Sequence, residues 1–294
     1  MKKIVSVVLV IMLVFICAAC GTTDNTTTTT QHNQNQSGNN QGNEVAFENV
    51  LVADTDDCRI EIVGSEQDVL WGYTLKVKLE NKSDKNYTFA VDDAVINGVQ
   101  CDTIFAKDVA AGKKANDSIV FSDDDLEQNE IGQYTDIELT FRVYDSEDWT
   151  ADDVLVKTVH VYPLGKEEAM MFDRGILPTD DVLVDNDYVT VLVTGYDESD
   201  FWGYGVKLFV INKTDTEVMF SADDVSVNGI MVDPYFATTV LPGKCRFSTM
   251  SWFDTDFEEN EITEVEEIEF TLRAYDNEDW GASDFANVKI TLNP

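Results

Sequence analysis

Apolar and polar residues alternate with a period of two along much of the chain. Tyr73, Leu75, Val77 and Leu79 alternate with Thr74, Lys76, Lys78 and Glu80, and Tyr204, Val206, Leu208 and Val210 repeat the pattern. Ile137, Leu139, Phe141 and Val143 alternate with Glu138, Thr140 and Arg142, and Ile268, Phe270, Leu272 and Ala274 follow suit. Successive side chains of a strand point to opposite faces, so this pattern predicts strands with one buried and one wetted face. Asn97-Gly98 and Asn228-Gly229 lie between β-prone runs and predict tight hairpins, because both residue types tolerate positive φ.

The alternation is written twice. At an offset of 131 residues, the step from Trp71 to Trp202, the chain matches itself without a gap. Trp71-Gly72-Tyr73 falls on Trp202-Gly203-Tyr204, Asn81-Lys82 on Asn212-Lys213, and Asp92-Asp93 on Asp223-Asp224. Gly112-Lys113 falls on Gly243-Lys244, and Tyr144 through Trp149 on Tyr275 through Trp280. Seven or eight short strands are expected in each copy, the rhythm of an immunoglobulin-like sandwich of two packed sheets, although a Cys…Trp…Cys core signature is absent. The fold expected is all-β, two tandem sandwiches spanning 45–163 and 180–294. The linker 164–179 carries an apolar run, Ala169-Met170-Met171-Phe172, read as a short helix.

The N-terminal end is different. Lys2 and Lys3 precede an apolar run from Ile4 to Ala19, broken only by Ser6. Sixteen residues fall short of the roughly 20 that a spanning helix needs, so 1–19 reads as a secretory signal. The run closes on Cys17-Ala18-Ala19-Cys20-Gly21. Small residues before a cysteine resemble the lipobox of bacterial lipoproteins, which implies acylation of Cys20 and a membrane-anchored, extracellular protein. Cys17 stands where that motif usually has leucine. A plain signal cut after Ala19, or an uncleaved anchor, are the competing readings. Residues 20–44 turn to Thr, Asn, Gln and Gly without an aliphatic side chain, so little could offset the entropy of ordering them. As a flexible coil this tether would span on the order of 27 Å.

Charge narrows the partners. Fifty-six acidic residues oppose 20 basic ones, a formal charge of −36, and loss of Lys2 and Lys3 with the signal makes it −38. Such a surface repels nucleic acid and anionic headgroups and favours cationic partners or divalent ions. A 44% hydrophobic content is nevertheless ample for packed cores.

With these features in hand, the stretch Asn81-Lys82-Ser83-Asp84 through Asp92-Asp93, Ile96-Asn97-Gly98 and Gly112-Lys113 resembles tandem-domain surface lipoproteins of Gram-positive anaerobic bacteria. Those proteins carry immunoglobulin-like domains of unknown function. The resemblance covers both copies and the N-terminus; it implies fold and placement, and brings no activity.

Candidate chemistry is sparse. The acidic turns Asp145-Ser146-Glu147-Asp148 and Asp276-Asn277-Glu278-Asp279, with Asp152-Asp153 and Ser283-Asp284 nearby, have the hard oxygen donors that calcium prefers. Their spacing matches no EF-hand, and a solvated acidic loop is the plainer reading. Asp123-Asp124-Asp125 and Glu258-Glu259 are weaker candidates. Trp71 and Trp202 could form a sugar-stacking platform, but phase with Tyr73 and Leu75 predicts that Trp71 points inward. Gly72 marks a bulge or a close backbone approach. His32 lies in the tether and His160 on the last strand of copy one, facing outward. The second copy has no histidine, so a Ser-His-Asp triad is not in prospect there and an enzyme is not expected. Cys58 and Cys101 correspond to Val189 and Val232, which leaves buried thiols or a disulfide between them. Cys245 corresponds to Lys114 and is read as a lone surface or edge thiol.

The function expected is a non-enzymatic binding or interaction module, held to the membrane by its lipid and engaging a wall polymer or surface protein. A calcium-dependent module and a carbohydrate-binding module are the alternatives. No cofactor is required, and the oligomeric state is open.

Overall fold

The strands of copy one follow one another as β1 (Val50–Asp54), β2 (Cys58–Asp68), β3 (Gly72–Asn81), β4 (Tyr87–Ile96) and β5 (Val99–Cys101). After them come β6 (Ala106–Val109), β7 (Lys114–Phe121), the short helix α1 (Asp123–Gln128), β8 (Ile137–Asp145) and β9 (Leu155–Val161). Copy two repeats this order: β10 (Asp181–Asp185), β11 (Val189–Asp197), β12 (Tyr204–Asn212), β13 (Val218–Val227) and β14 (Ile230–Met231). It closes with β15 (Ala237–Val240), β16 (Cys245–Trp252), α2 (Asp254–Glu259), β17 (Ile268–Asp276) and β18 (Ala286–Leu292). The computed structural model describes residues 47–148, 150–197, 203–279 and 281–294. The signal 1–19, Cys20, the tether 20–44, Trp149, Trp202 and Trp280 lie outside the described residues.

The described chain is all-β, its strands gathered into three sheets. One sheet runs β1-β2-β3-β7, and another runs β14-β13-β17-β18 with β15 also on β13. The largest, β10-β11-β12-β16-β5-β4-β8-β9 with β6 on β4, draws strands from both copies. They meet where β16 of copy two pairs in parallel with β5 of copy one, Cys245 opposite Val99. Val45–Pro294 accordingly forms one compact unit.

Each copy encloses its own core between two sheets. In copy one, Ile60, Leu75 and Ile119 face Phe89, Leu139 and Phe141. In copy two, Val191, Val206 and Met250 face Phe220, Val227 and Leu272. These are the inward positions of the alternating runs, and the period of two is carried through: β8 alternates buried and half-buried residues along its whole length. At about 25 cal/mol per Å² of apolar surface removed from water, these inner faces are the main stabilising term.

The Asn-Gly pairs form the expected tight turns, with φ of 55° and 92° at Asn97-Gly98 and 51° and 78° at Asn228-Gly229. Their asparagine side chains also brace the loop before the next long strand. Asn97 Oδ1 accepts the amides of Thr135 and Asp136 at 3.0 and 3.1 Å, and Asn228 Oδ1 those of Glu266 and Glu267 at 2.9 and 3.0 Å. Asn81 and Asn212 do similar work inside. Asn81 Nδ2 donates to the carbonyls of Lys85 and Val109, and Asn212 Nδ2 to those of Thr216 and Val240, at 2.7–2.8 Å. A buried polar group is tolerated when its partners are supplied, and here they are.

Two expectations about the linker and the strands need revision. Among the described residues each copy contributes nine strands, the extra ones being short pieces of two to four residues such as β5, β6, β14 and β15. The apolar run Ala169–Phe172 is not helical; a single 3-10 turn, Lys166–Glu168, lies just before it. The run instead crosses copy one as an extended segment, Met170 donating its amide to Thr135 Oγ1 at 3.0 Å and Phe172 its amide to the Asn97 carbonyl at 2.6 Å.

Candidate functional site

The acidic turns are built to hold themselves together. Asp145 ends β8, and its Oδ1 accepts the amide of Glu147 at 3.0 Å while Oδ2 accepts from Lys85 Nζ at 2.8 Å. Lys85 and then the Glu147 amide hold the Asp145 carboxyl below the ordinary carboxylate range. Asp276 Oδ1 accepts the amides of Glu278 and Asp279 at 2.9 and 3.0 Å, which lowers its pKa in the same way. The neighbouring acids turn elsewhere: Asp153 pairs with Arg142 Nε at 2.8 Å and Asp284 with Arg273 Nε at 3.0 Å. Among the described residues no three His, Cys, Asp or Glu side chains converge as a metal site would require. Asp123–Asp125 form the first turn of α1, whose N-cap Ser122 Oγ accepts the Asp125 amide at 3.1 Å. Glu258 and Glu259 end α2.

The Trp-Gly-Tyr segment departs from the expectation. Trp71 is 66% exposed, and it follows Val69 at 96% and Leu70 at 85%. The three form the tip of the hairpin between β2 and β3. The reason lies at Gly72, which has φ +87° and sits against β7, where an added Cβ would come within 2.3 Å of the Phe121 carbonyl oxygen. The positive φ breaks the alternation, so Tyr73 turns inward, 7% exposed, while Trp71 belongs to the turn. Asp68 Oδ1 holds that turn by accepting the amides of Leu70 and Trp71 at 2.8 and 3.0 Å. Three consecutive large apolar side chains thus stand in water without a packing partner to account for them.

A second exposed side chain belongs to the same end of the copy. Ile104, 95% exposed, follows Thr103, whose Oγ1 donates to the Val120 carbonyl at 2.9 Å near the end of β7. Its counterpart in copy two, Tyr235, is 80% exposed and bridges to Ser251 through the backbone. Acidic groups lie beside the tip: Asp68 immediately precedes it, and Gln67 Nε2 donates to Asp123 Oδ1 at 2.8 Å, placing the start of α1 alongside.

Among the described residues the thiols of Cys58, Cys101 and Cys245 are buried and free. Burial pushes Cys101 and Cys245 up to about 12 and raises Cys58, so none is poised as a thiolate nucleophile. Cys245 is therefore no surface thiol: it is 8% exposed because β16 is covered by copy one. His160 Nδ1 lies 2.7 Å from Asp136 Oδ1, and its ring stacks on Tyr162.

The seam between the copies is the region that sequence reasoning left unassigned. Phe172 of the linker meets Phe209 and Phe247 edge-on with centroids 6.1 and 6.0 Å apart. Arg174 lies 5.8 Å over the Phe209 ring and grips the fully buried Asp180 carboxylate with two bonds of 2.7 and 2.9 Å. Across the seam, Lys244 Nζ reaches Glu138 at 2.5 Å, Arg246 reaches Asp102 at 2.6 Å, and Gln100 Oε1 accepts the Leu241 amide at 3.0 Å.

No protein-family model and no curated protein sequence matches the chain. Among solved structures it is similar to a red sea bream transglutaminase at 11% identity and TM-score 0.24, over 82% of this chain and 31% of that one. It thus spans about a third of the transglutaminase's length. It is similar as well to a protein of unknown function from Porphyromonas gingivalis W83, at 13% identity and TM-score 0.21 over 76% and 91% of the two chains. A Salmonella enterica SafA pilin–SafB chaperone complex gives 9% identity and TM-score 0.19, over 74% and 89%. Similarity at this level assigns neither a family nor an activity.

Proposed function

We propose that the chain is a lipid-anchored extracellular binding module without catalytic activity: two immunoglobulin-like sandwiches, 45–163 and 180–294, carried on a polar tether from acylated Cys20. The hairpin tip Val69-Leu70-Trp71 engages the target, and its exposure is the single observation that supports this reading. Asp68 and Asp123 beside the tip favour a target whose apolar pocket is rimmed by basic groups, as on a surface protein. The exposed Trp71 indole supports a second reading, stacking on a sugar ring of a wall polymer. The calcium alternative lacks such support, because the turn carboxylates are already engaged.

The test compares residues 45–294 with a Leu70→Ser, Trp71→Ser variant, each titrated onto isolated cell-wall polysaccharide and onto immobilised surface proteins. Loss of binding in the variant is the expected result, and equal binding by both would remove the tip from the account. Binding of the unaltered chain to polysaccharide alone, lost in the variant, would select the sugar reading. The anchor is tested separately: the full chain is expected to incorporate labelled fatty acid and Cys20→Ser to incorporate none, whereas equal labelling of both would refute acylation there.

A further inference from the structure

The two copies present the same edge in two states. In copy one that edge is β5, with Val99 fully buried and Gln100 only 6% exposed, because β16 and the linker cover it. The Cys245 amide donates to the Gly98 carbonyl at 3.1 Å, and Met171 Cε fills the space where a Gly98 side chain would be. In copy two the equivalent edge is β14, which ends its sheet. There Ile230 is 39% and Met231 64% exposed, and nothing lies within 4 Å of where a Gly229 side chain would start.

The charges that guide the contact are present at both edges. Glu138 and Asp102 of copy one receive Lys244, just before β16, and Arg246 of β16. Their counterparts in copy two, Glu269 and Asp233, are exposed, and neither has an ion-pair partner among the described residues. We infer that the β14 edge is a second docking site, taking in parallel a β-strand of another protein. That strand carries two basic residues flanking a small apolar one and followed by an aromatic, the pattern Gly243-Lys244-Cys245-Arg246-Phe247 that covers copy one.

A second copy of this chain does not supply that strand. Its Gly243–Phe247 segment is already engaged within its own seam. The equivalent segment of copy one reads Gly112-Lys113-Lys114-Ala115-Asn116, which has a lysine in place of the small apolar residue and Ala115 and Asn116 in place of Arg246 and Phe247, and Lys114 is turned to Glu80 at 3.1 Å. The exposed edge is two residues long, and short edges resist indiscriminate strand addition. Recognition therefore rests on Asp233 and Glu269 flanking Ile230 and Met231.

The test turns the chain's own strand loose. In residues 45–294, Val99→Lys, Asp102→Lys and Glu138→Lys together repel β16 from copy one and leave β14 as the acidic edge that fits it. The variant is expected to join head to tail through a heterologous contact, with about a two-fold or greater rise in weight-average mass on concentration, read by sedimentation. Adding Asp233→Lys and Glu269→Lys returns it to monomer. A variant that stays monomeric while retaining β-structure by circular dichroism would overturn the proposal. Association that ignores the Asp233 and Glu269 changes would overturn it equally, since it would be unspecific aggregation. The hairpin tip is untouched in every variant, so this result is independent of the tip reading.

Discussion

The outer face of β2, β3 and β7 in copy one and that of β11, β12 and β16 in copy two occupy equivalent places and have opposite chemistry. Glu61, Lys78, Glu80, Lys114 and Asn116 of copy one stand where copy two has Leu192, Phe209, Ile211, Cys245 and Phe247. The first set is wetted or half-wetted, while Leu192 and Phe209 are 0% and 3% exposed and join the core of copy one. The inner faces scarcely differ: Leu75, Val77 and Leu79 match Val206, Leu208 and Val210, all buried. Duplication kept what each copy needs to fold and changed what each shows to its neighbour. The residues shared between copies are therefore scaffold, and the residues that differ mark the surfaces that meet something.

Placing a charge back in the seam has the largest expected effect. Phe209→Lys restores the residue of copy one at a site that is now buried, and about 3 kcal/mol or more of stability is expected to go, from lost apolar burial and an unpaired cation. Urea unfolding measures it; a loss below about 0.5 kcal/mol, the usual range for surface positions, would mean the seam is not packed in solution.

Removing a shared scaffold group should affect the copies alike. Asn81→Ala and Asn212→Ala each remove a buried amide that donates to one buried and one part-buried carbonyl, and each is expected to cost about 1–3 kcal/mol. Unequal losses in the same urea series would show that the two asparagines do different work.

Acid separates the seam from its surroundings. Arg174 lowers the Asp180 pKa, so the pair adds stability that is complete above the unfolded carboxylate value and is lost as pH falls through the folded one. Asp180→Asn should flatten the acid limb of the stability profile. Asp93 has the opposite sign, because burial, and after it Glu217 and Asp92, raise its pKa. Its ionised form destabilises the fold at neutral pH, so Asp93→Asn should raise the thermal midpoint at pH 7 and leave it unchanged at pH 3. The same shift at both pH values would assign the gain to packing instead of charge.

The smallest effect on stability belongs to the tip. Leu70→Ser with Trp71→Ser removes groups that touch mainly water, so thermal unfolding should move by no more than about 0.5 kcal/mol. A larger loss would show that the tip packs against the body and is not held free for a ligand.

Much of the scaffold was legible in the sequence because it rests on local rules: a period of two for the strands, and Asn-Gly for the turns. The direction of Trp71 was not, since the alternation was extended through Gly72, whose positive φ resets it. The seam was legible in principle. Phe209 and Phe247 sit at outward positions of alternating strands, opposite Lys78 and Asn116 in the other copy, and an apolar residue out of phase signals a covered face. The burial of Cys245 follows from the same signal. Which carboxylates are spent on turns and ion pairs was not readable, because spacing alone does not distinguish an oxygen that accepts a backbone amide from one left open to a metal.

Scanning calorimetry of residues 45–294 tests most directly whether the copies act as one body. The shared sheet and the aromatic seam predict a single cooperative transition in which calorimetric and van't Hoff enthalpies agree. Two separated transitions, one for each core, would contradict it and reduce the seam to a contact between independent domains.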